Sequence, residues 1–246
     1  THGFRDVLEL RRSARTHLLD PLMDKPYLFV PGRWRFDVKE RLRFDGTVLE
    51  PLDEQELRSV LKRLTEAGVA SVAVCFLHSY ANSAHERRAG EIIQEEFPQL
   101  YSTLSSDLVP EMGEYERTST AAMNAYIHPV MHQYVSNLEQ ELRERGLKGD
   151  LHVMQSNGGI MTGQEATRRP IHSLESGPAA GSIASAYLGR LLGISNLISF
   201  DMGGTTAKSS VIEQGQPLIT VEFEIFEEPD KPGSGWPIRV PMIDIV

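Results

Sequence analysis

Ile198-Ser199-Phe200-Asp201-Met202-Gly203-Gly204-Thr205-Thr206-Ala207-Lys208-Ser209-Ser210-Val211-Ile212 is the stretch from which the fold is read. Apolar residues lead into an acid, then a Gly-Gly pair, then two hydroxyls, then a second apolar run. This predicts a tight β-hairpin. Gly203 and Gly204 can take positive φ, which leaves backbone N–H groups free to point at one spot. Such a nest of donors suits phosphate oxygens. Asp201 stands where a carboxylate holds the water shell of Mg²⁺, an ion that takes one or two carboxylates together with phosphates. An ordinary Gly-Gly hairpin with an acidic edge has the same pattern, so the hairpin alone does not separate the two readings.

Upstream lies Leu174-Glu175-Ser176-Gly177-Pro178-Ala179-Ala180-Gly181-Ser182-Ile183-Ala184-Ser185-Ala186-Tyr187. Pro178 fits the first turn of a helix, where its missing N–H is no loss. The small residues after it let another backbone or a ligand come close. A small-residue helix followed by strand-Asp-x-Gly-Gly-Thr resembles the actin-like ATPase superfamily. There the helix crosses between two lobes and the hairpin is the second phosphate-binding loop.

The resemblance narrows further. His2-Gly3-Phe4-Arg5-Asp6-Val7-Leu8-Glu9, Ser79-Tyr80-Ala81-Asn82-Ser83-Ala84-His85-Glu86 and Glu114-Tyr115-Glu116-Arg117-Thr118-Ser119-Thr120 are similar to the ATP-dependent hydantoinase A and 5-oxoprolinase family. So are Asn124-Ala125-Tyr126, Gln155-Ser156-Asn157-Gly158-Gly159, Ser176-Gly177-Pro178-Ala179 and Pro241-Met242-Ile243-Asp244. Acetone and acetophenone carboxylase subunits share this family. The resemblance implies an α/β, ribonuclease H-like two-lobed fold present here as a partial chain. Residues 1–172 would be the later part of an N-terminal lobe, with a long helix over about 114–145. Residues 173–246 would hold the crossing helix and the start of the second lobe.

It also implies ATP and Mg²⁺ as cofactors, a small cyclic amide of hydantoin or 5-oxoproline type as substrate, and ring opening through a phosphorylated intermediate. A hydantoinase B-like subunit would be the partner, in a cytoplasmic oligomer. Two other functions fit the resemblance: a ketone carboxylase subunit, or a scaffold subunit with a vestigial nucleotide site. A chaperone-like ATPase is a further rival. On the residues, Gly203, Gly204, Thr205, Thr206, Gly177, Gly158 and Gly159 are expected at the nucleotide, Asp201 at the metal, and Asp201 with His85 in catalysis. Lys208 either adds a cation to the phosphates or caps the hairpin.

The bulk composition agrees with a soluble globular class. Hydrophobic residues make up 40% and charged residues 24%, ordinary values for such a chain. The net charge of −9 argues against non-specific nucleic-acid binding, which needs a basic surface. The single cysteine, Cys75, lies in an apolar run and reads as a small buried hydrophobe rather than a nucleophile. The apolar run 69–77 falls well short of the roughly 20 residues of a membrane span. The chain begins without Met and inside a motif, so it is read as the middle of a longer polypeptide.

Along the chain, 11–35 reads as irregular and 36–51 as a hairpin with a type I′ turn at Asp45-Gly46. Asp53 and Glu56 form a capping-box pattern for a helix with Leu57, Val60, Leu61 and Leu64 at helical spacing. A buried strand over 69–77 follows, and the turn after it lies where α/β proteins place ligands. In that turn Ser83 and Glu86 form a second capping-box pattern. Met123, Tyr126, Ile127, Val130, Met131, Tyr134, Val135, Leu138 and Leu142 trace a core stripe on the long helix, which Pro129 is expected to kink or break. The turn 156–159 closes a strand, and 226–236 reads as an acidic loop.

Overall fold

The computed structural model describes residues 1–12, 28–226 and 235–246. It is a mixed α/β protein, and it divides into two compact units. Unit 1 is Thr1–Pro129 with Phe223–Arg239, and unit 2 is Val130–Glu222 with Val240–Val246. Most of the irregular stretch 11–35 and most of the acidic stretch 226–236 lie outside the described residues.

Unit 1 opens with a short helix α1 (Val7–Leu10) and a ribbon of β1 (Arg41–Leu42) and β2 (Val48–Glu50). The turn between them is not type I′. Gly46 has φ +81° but Asp45 does not share it. Gly46 N–H donates to Arg43 O and Arg43 N–H to Thr47 O, a three-residue loop with glycine at the bulge. Helix α2 (Glu54–Glu66) starts as its sequence predicts: Asp53 Oδ1 accepts from the amides of Gln55 and Glu56 at 3.0 and 2.9 Å. The capping box is only half formed, because Glu56 Oε2 accepts from Lys39 N–H at 2.7 Å. Gly68, at φ +76°, stops the helix.

Strand β3 (Ser71–Val74), helix α3 (Ala84–Glu96) and strand β4 (Tyr101–Leu104) form a β-α-β crossover with parallel strands, Ser71 opposite Tyr101 and Val74 opposite Leu104. Leu57, Leu61 and Leu64 of α2 and Ala89, Ile92 and Ile93 of α3 bury their side chains with Val72, Val74, Phe76 and Leu100. Each such aliphatic side chain contributes about 1.5–3 kcal/mol on burial, so this core fixes where β3 ends. A short helix α4 (Ser105–Leu108) follows β4. Trp236, on a ribbon pairing Phe223–Ile225 with Trp236–Ile238, packs with Leu8 and Ala122.

The long helix α5 (Glu114–Glu144) runs on through Pro129, where the two units divide. Its expected core stripe is only partly covered. Met123 and Val135 are buried, but Tyr126, Val130 and Tyr134 are 74%, 71% and 61% exposed. The buried face of its first half is instead made of Arg117, Ser119, Thr120, Ala121, Asn124 and Ala125.

Unit 2 continues with an antiparallel ribbon of β5 (His152–Met154) and β6 (Ile160–Thr162) and a short helix α6 (Gly163–Arg168). Helix α7 (Ser176–Leu192) then leads into a three-stranded antiparallel sheet of β7 (Leu197–Met202), β8 (Ala207–Glu213) and β9 (Gln216–Pro217). Pro178 sits in the first turn of α7, and Gly193 ends it at φ +72°. Ile219–Thr220 pairs with Met242–Ile243. Among the described residues no helix is long and apolar enough to cross a membrane.

Candidate functional site

The hairpin exists as the sequence predicts. Six pairs run from Leu197 opposite Ile212 to Met202 opposite Ala207, with Asp201 facing Lys208. Gly203 N–H donates to Thr206 O at 3.0 Å and closes the tip. Among the described residues, the amides of Gly204, Thr205 and Thr206 have no partner. Residues 201–206 are all exposed. Neither Gly203 nor Gly204 uses the positive φ open to glycine. What glycine supplies here is space: a Cβ on Gly204 would meet nothing within 4 Å, and one on Gly203 only Thr206 O at 4.0 Å. The Thr205 and Thr206 hydroxyls lie 3.3 Å apart.

Lys208 does not pair with the carboxylate across the ladder. Its ammonium binds Glu175, the residue that precedes α7. This ties the start of α7 to β8 one residue beyond the tip and leaves Asp201 with no cation among the described residues. The helix lies on the sheet through hydroxyl pairs: Ser210 Oγ to Ser182 Oγ at 2.7 Å and Ser185 Oγ to Ser199 Oγ at 3.3 Å. Gly189 is required by this packing, since a Cβ there would stand 2.4 Å from Leu197 Cδ2. Gly177, in the first turn of α7, faces open space. A helix N-terminus carries partial positive charge and free N–H groups, which favour anions.

Gly158 and Gly159 lie in the β5–β6 turn, an antiparallel hairpin rather than the end of a parallel strand. Gly158, at φ +84°, is pressed against α7: a Cβ would fall 2.6 Å from Ile183 Cδ1. Asn157 Oδ1 accepts from Gly159 N–H at 2.8 Å. Unit 2 thus holds Asp201, Gly203, Gly204, Thr205, Thr206, Gly177, Gly158 and Gly159, whereas His85 belongs to unit 1.

In unit 1 the turn after β3 carries buried polar groups. Glu86 does not cap α3. It is fully buried and accepts from Phe76 N–H, Ser105 Oγ and Ser106 N–H at 2.7, 2.7 and 2.8 Å. The start of α3 is instead met by Asn82 Oδ1, which accepts from Ala84 N–H at 3.0 Å. Arg117 is 1% exposed. It donates to Ser79 Oγ at 2.8 Å and Phe76 O at 2.7 Å, so its role is structural. His85 Nδ1 lies 2.7 Å from Glu40 Oε2. Desolvation, reinforced by the Glu86 carboxylate, pushes the Cys75 thiol up to about 12, so it is protonated and inert, as its apolar setting implied.

Sequence reading missed Glu40 and Glu175. Glu40 stands in no motif, Glu175 only borders the Ser176-Gly177-Pro178 helix start, and each finds its partner far along the chain. Among the described residues no group of three or more His, Cys, Asp or Glu side chains is arranged to hold a metal. A metal at Asp201 would therefore take its remaining ligands from water and phosphate, as Mg²⁺ commonly does. Exposed amides, two hydroxyls, one unpaired carboxylate and a helix N-terminus form a donor set that fits a phosphate chain with its cation.

Residues 117–246 match the Hydantoinase/oxoprolinase family, and residues 1–97 match the Hydantoinase/oxoprolinase N-terminal region. The chain is 42% identical over its whole length to an uncharacterized protein of Methanocaldococcus jannaschii, covering 37% of that protein. It is 30% identical to the caprolactamase subunit alpha of Pseudomonas jessenii, covering 100% of this chain and 34% of that one. The crystal structure of the ATP-dependent caprolactamase from Pseudomonas jessenii superimposes on the whole chain with a TM-score of 0.85 at 30% identity, over 35% of its own length. Nucleotide-free acetone carboxylase superimposes with a TM-score of 0.82 at 26% identity, again over 100% of this chain and 35% of that one. The chain spans about a third of the length of these relatives. It belongs to the hydantoinase/oxoprolinase family.

Proposed function

We propose that this chain is the nucleotide-binding part of an ATP-dependent enzyme that opens a cyclic amide of the hydantoin or 5-oxoproline type. The observation that carries the reading is the acid-led hairpin tip, exposed, with three amides that have no partner among the described residues and two hydroxyls that meet only each other. Membership of a family with an ATP-dependent caprolactamase supports the amide as substrate class.

ATP would supply a phosphoryl group to the carbonyl oxygen, which makes the ring carbon a better electrophile. Phosphoryl transfer asks the protein for positioning and charge neutralisation more than for covalent help. Gly203 and Gly204 keep the tip free of side chains so that phosphates approach the backbone. The Gly204, Thr205 and Thr206 amides and the two threonine hydroxyls donate to phosphate oxygens. Asp201 orients the hydrated Mg²⁺, and Gly177 lets the first turn of α7 come close. Gly158 and Gly159 serve the site by seating their turn on α7, and His85 acts on the substrate. In this reading residues 1–172 and 173–246 serve two lobes. The relative named as a subunit supports a partner subunit, which in this proposal is hydantoinase B-like and joins the chain in a cytoplasmic oligomer.

A second reading, a ketone carboxylase subunit, is favoured by the likeness to acetone carboxylase. One assay separates the two: ATP turnover by the full-length protein with its partner subunit, given hydantoin, 5-oxoproline or caprolactam, or acetone with bicarbonate. Stimulation by a cyclic amide is expected, and stimulation by the ketone alone would select the second reading. Asp201→Asn should lower the stimulated turnover by about 10²-fold or more, the scale of losing a charge-stabilising group. Unchanged turnover in this variant would sink the hairpin assignment.

A further inference from the structure

Glu40 is 1% exposed, and both of its carboxylate oxygens are engaged. Oε1 accepts from the Thr1 hydroxyl, and Oε2 lies 2.7 Å from His85 Nδ1. The Thr1 hydroxyl in turn accepts from Leu77 N–H at 2.8 Å. All four residues lie in unit 1. The chain of hydrogen bonds therefore starts at a backbone amide just past β3, and a backbone amide only donates. Leu77 N–H takes one lone pair of Thr1 Oγ1, and the Thr1 proton points to Glu40 because an ionised carboxylate only accepts. An ionised carboxylate accepts on both oxygens, so the ring nitrogen facing it must carry a proton. In neutral His85 the proton is then on Nδ1, and Nε2 keeps its lone pair. His85 is in the first turn of α3 and is 8% exposed, and Nε2 has no partner among the described residues.

We infer that Glu40 is a positioning residue that holds His85 in the Nδ1–H tautomer. Nε2 is thereby presented as a hydrogen-bond acceptor and general base at the carboxyl end of β3. The ligand it suits carries a donor, the N–H of a cyclic amide or an attacking water. In the transfer, Nε2 takes that proton while Nδ1–H stays on Glu40, and the imidazolium returns the proton to the leaving nitrogen. The identity of the donor rests on the cyclic-amide reading above; the tautomer does not.

Glu40→Gln is the discriminating variant. Its shape is nearly unchanged, but the Thr1 hydroxyl claims the amide oxygen, and the NH₂ group then faces Nδ1. That arrangement forces the proton to Nε2, the wrong-tautomer effect known from hydrolase triads in which the carboxylate becomes an amide. The measurement is ¹⁵N–¹H correlation NMR on the full-length protein with labelled histidine. The wild type should show His85 protonated at Nδ1, and Glu40→Gln should show it at Nε2. Amide-stimulated turnover in the variant should fall by about 10²-fold or more, the usual contribution of general acid–base catalysis, while ATP binding stays intact. A wild-type ring protonated at Nε2 would overturn the inference without touching the hairpin reading, and this readout needs no variant. A variant that keeps the Nδ1–H tautomer would remove Glu40 from the role. A variant with the tautomer switched but turnover preserved would show that His85 is not the base.

Discussion

Glu86 and Arg117 hold the two backbone polar groups of a single residue between them. Glu86 Oε1 accepts from Phe76 N–H, and Arg117 Nη2 donates to Phe76 O, each at 2.7 Å. Opposite charges from α3 and α5 thus pin the chain where β3 gives way to the turn carrying His78 to Glu86. Fully buried charges are costly to desolvate. They persist here because each is hydrogen-bonded to backbone and hydroxyl groups that would otherwise be unsatisfied. The result is a rigid seat for the turn at the carboxyl end of the parallel pair.

Removing one side of this clamp should be severe. Glu86→Ala leaves the Phe76 and Ser106 amides and the Ser105 hydroxyl without their acceptor in a site closed to water. The expected loss is about 3–5 kcal/mol of folding stability. Chemical denaturation checks it, and a loss below about 1 kcal/mol would mean that water reaches these groups.

Gly158 presents a steric prediction. At φ +84° an added Cβ is strained, and it would sit 2.6 and 2.7 Å from Ile183 Cδ1 and Cγ1. Gly158→Ala should therefore cost about 1–3 kcal/mol through overpacking and backbone strain together. Shortening the neighbour separates the two contributions. Gly158→Ala combined with Ile183→Ala should recover the steric share and leave the backbone share, read as non-additivity in a double-mutant cycle.

What the sequence made legible was local. The Asp53 cap and the Asp201 hairpin each depend on residues within a few positions of one another, and each stands as expected. Glu86 was misread because its spacing from Ser83 matched a capping box, while its true partners lie 10 to 20 residues away. The Glu40–His85 pair spans 45 positions and leaves no periodic trace. On α5 the apolar period marked a helix correctly but did not say what covers it, and Tyr126, Val130 and Tyr134 stand exposed. At Gly203 and Gly204 the residue type was informative, but the reason was room for an approaching group rather than backbone handedness.

Cys75 offers a chemical check on unit 1. Its thiol is pushed up to about 12 by desolvation and by the Glu86 carboxylate, so almost none is thiolate at neutral pH, and the thiolate is the reactive form. Iodoacetamide at pH 8 should leave the folded protein unmodified and label Cys75 fully in denaturant. Rapid labelling of the folded protein, followed by mass spectrometry, would contradict this environment.

His172 ties stability to pH in unit 2. Burial, and secondarily the Arg169 guanidinium, lower its pKa below the usual 6.5. The folded state therefore binds this proton less readily than the unfolded state. Stability from this residue is complete above pH 6.5 and is lost as pH falls from there toward the lowered folded value. Replacing His172 with Gln should flatten the stability profile in that window and leave it unchanged above pH 7.5. An identical slope in both proteins would assign the acid sensitivity elsewhere.

The Lys208–Glu175 pair decides whether the cation next to the tip serves the ligand. Both side chains are about one-third exposed, and pairs of this kind contribute no more than about 1 kcal/mol to stability. Lys208→Met should therefore fold nearly as well as the wild type. Glu175→Gln is the more telling change, because it releases the ammonium one residue beyond Ala207 while keeping the side chain's size. If the tip holds phosphates, the freed charge strengthens nucleotide binding by roughly 2- to 10-fold at low salt, corresponding to about 0.4–1.4 kcal/mol. The gain should shrink as ionic strength rises. Calorimetric titration of ATP into the two variants gives the answer directly. A gain in Glu175→Gln with a loss in Lys208→Met places the lysine at the phosphates, whereas unchanged affinity in both confines it to joining α7 to the sheet.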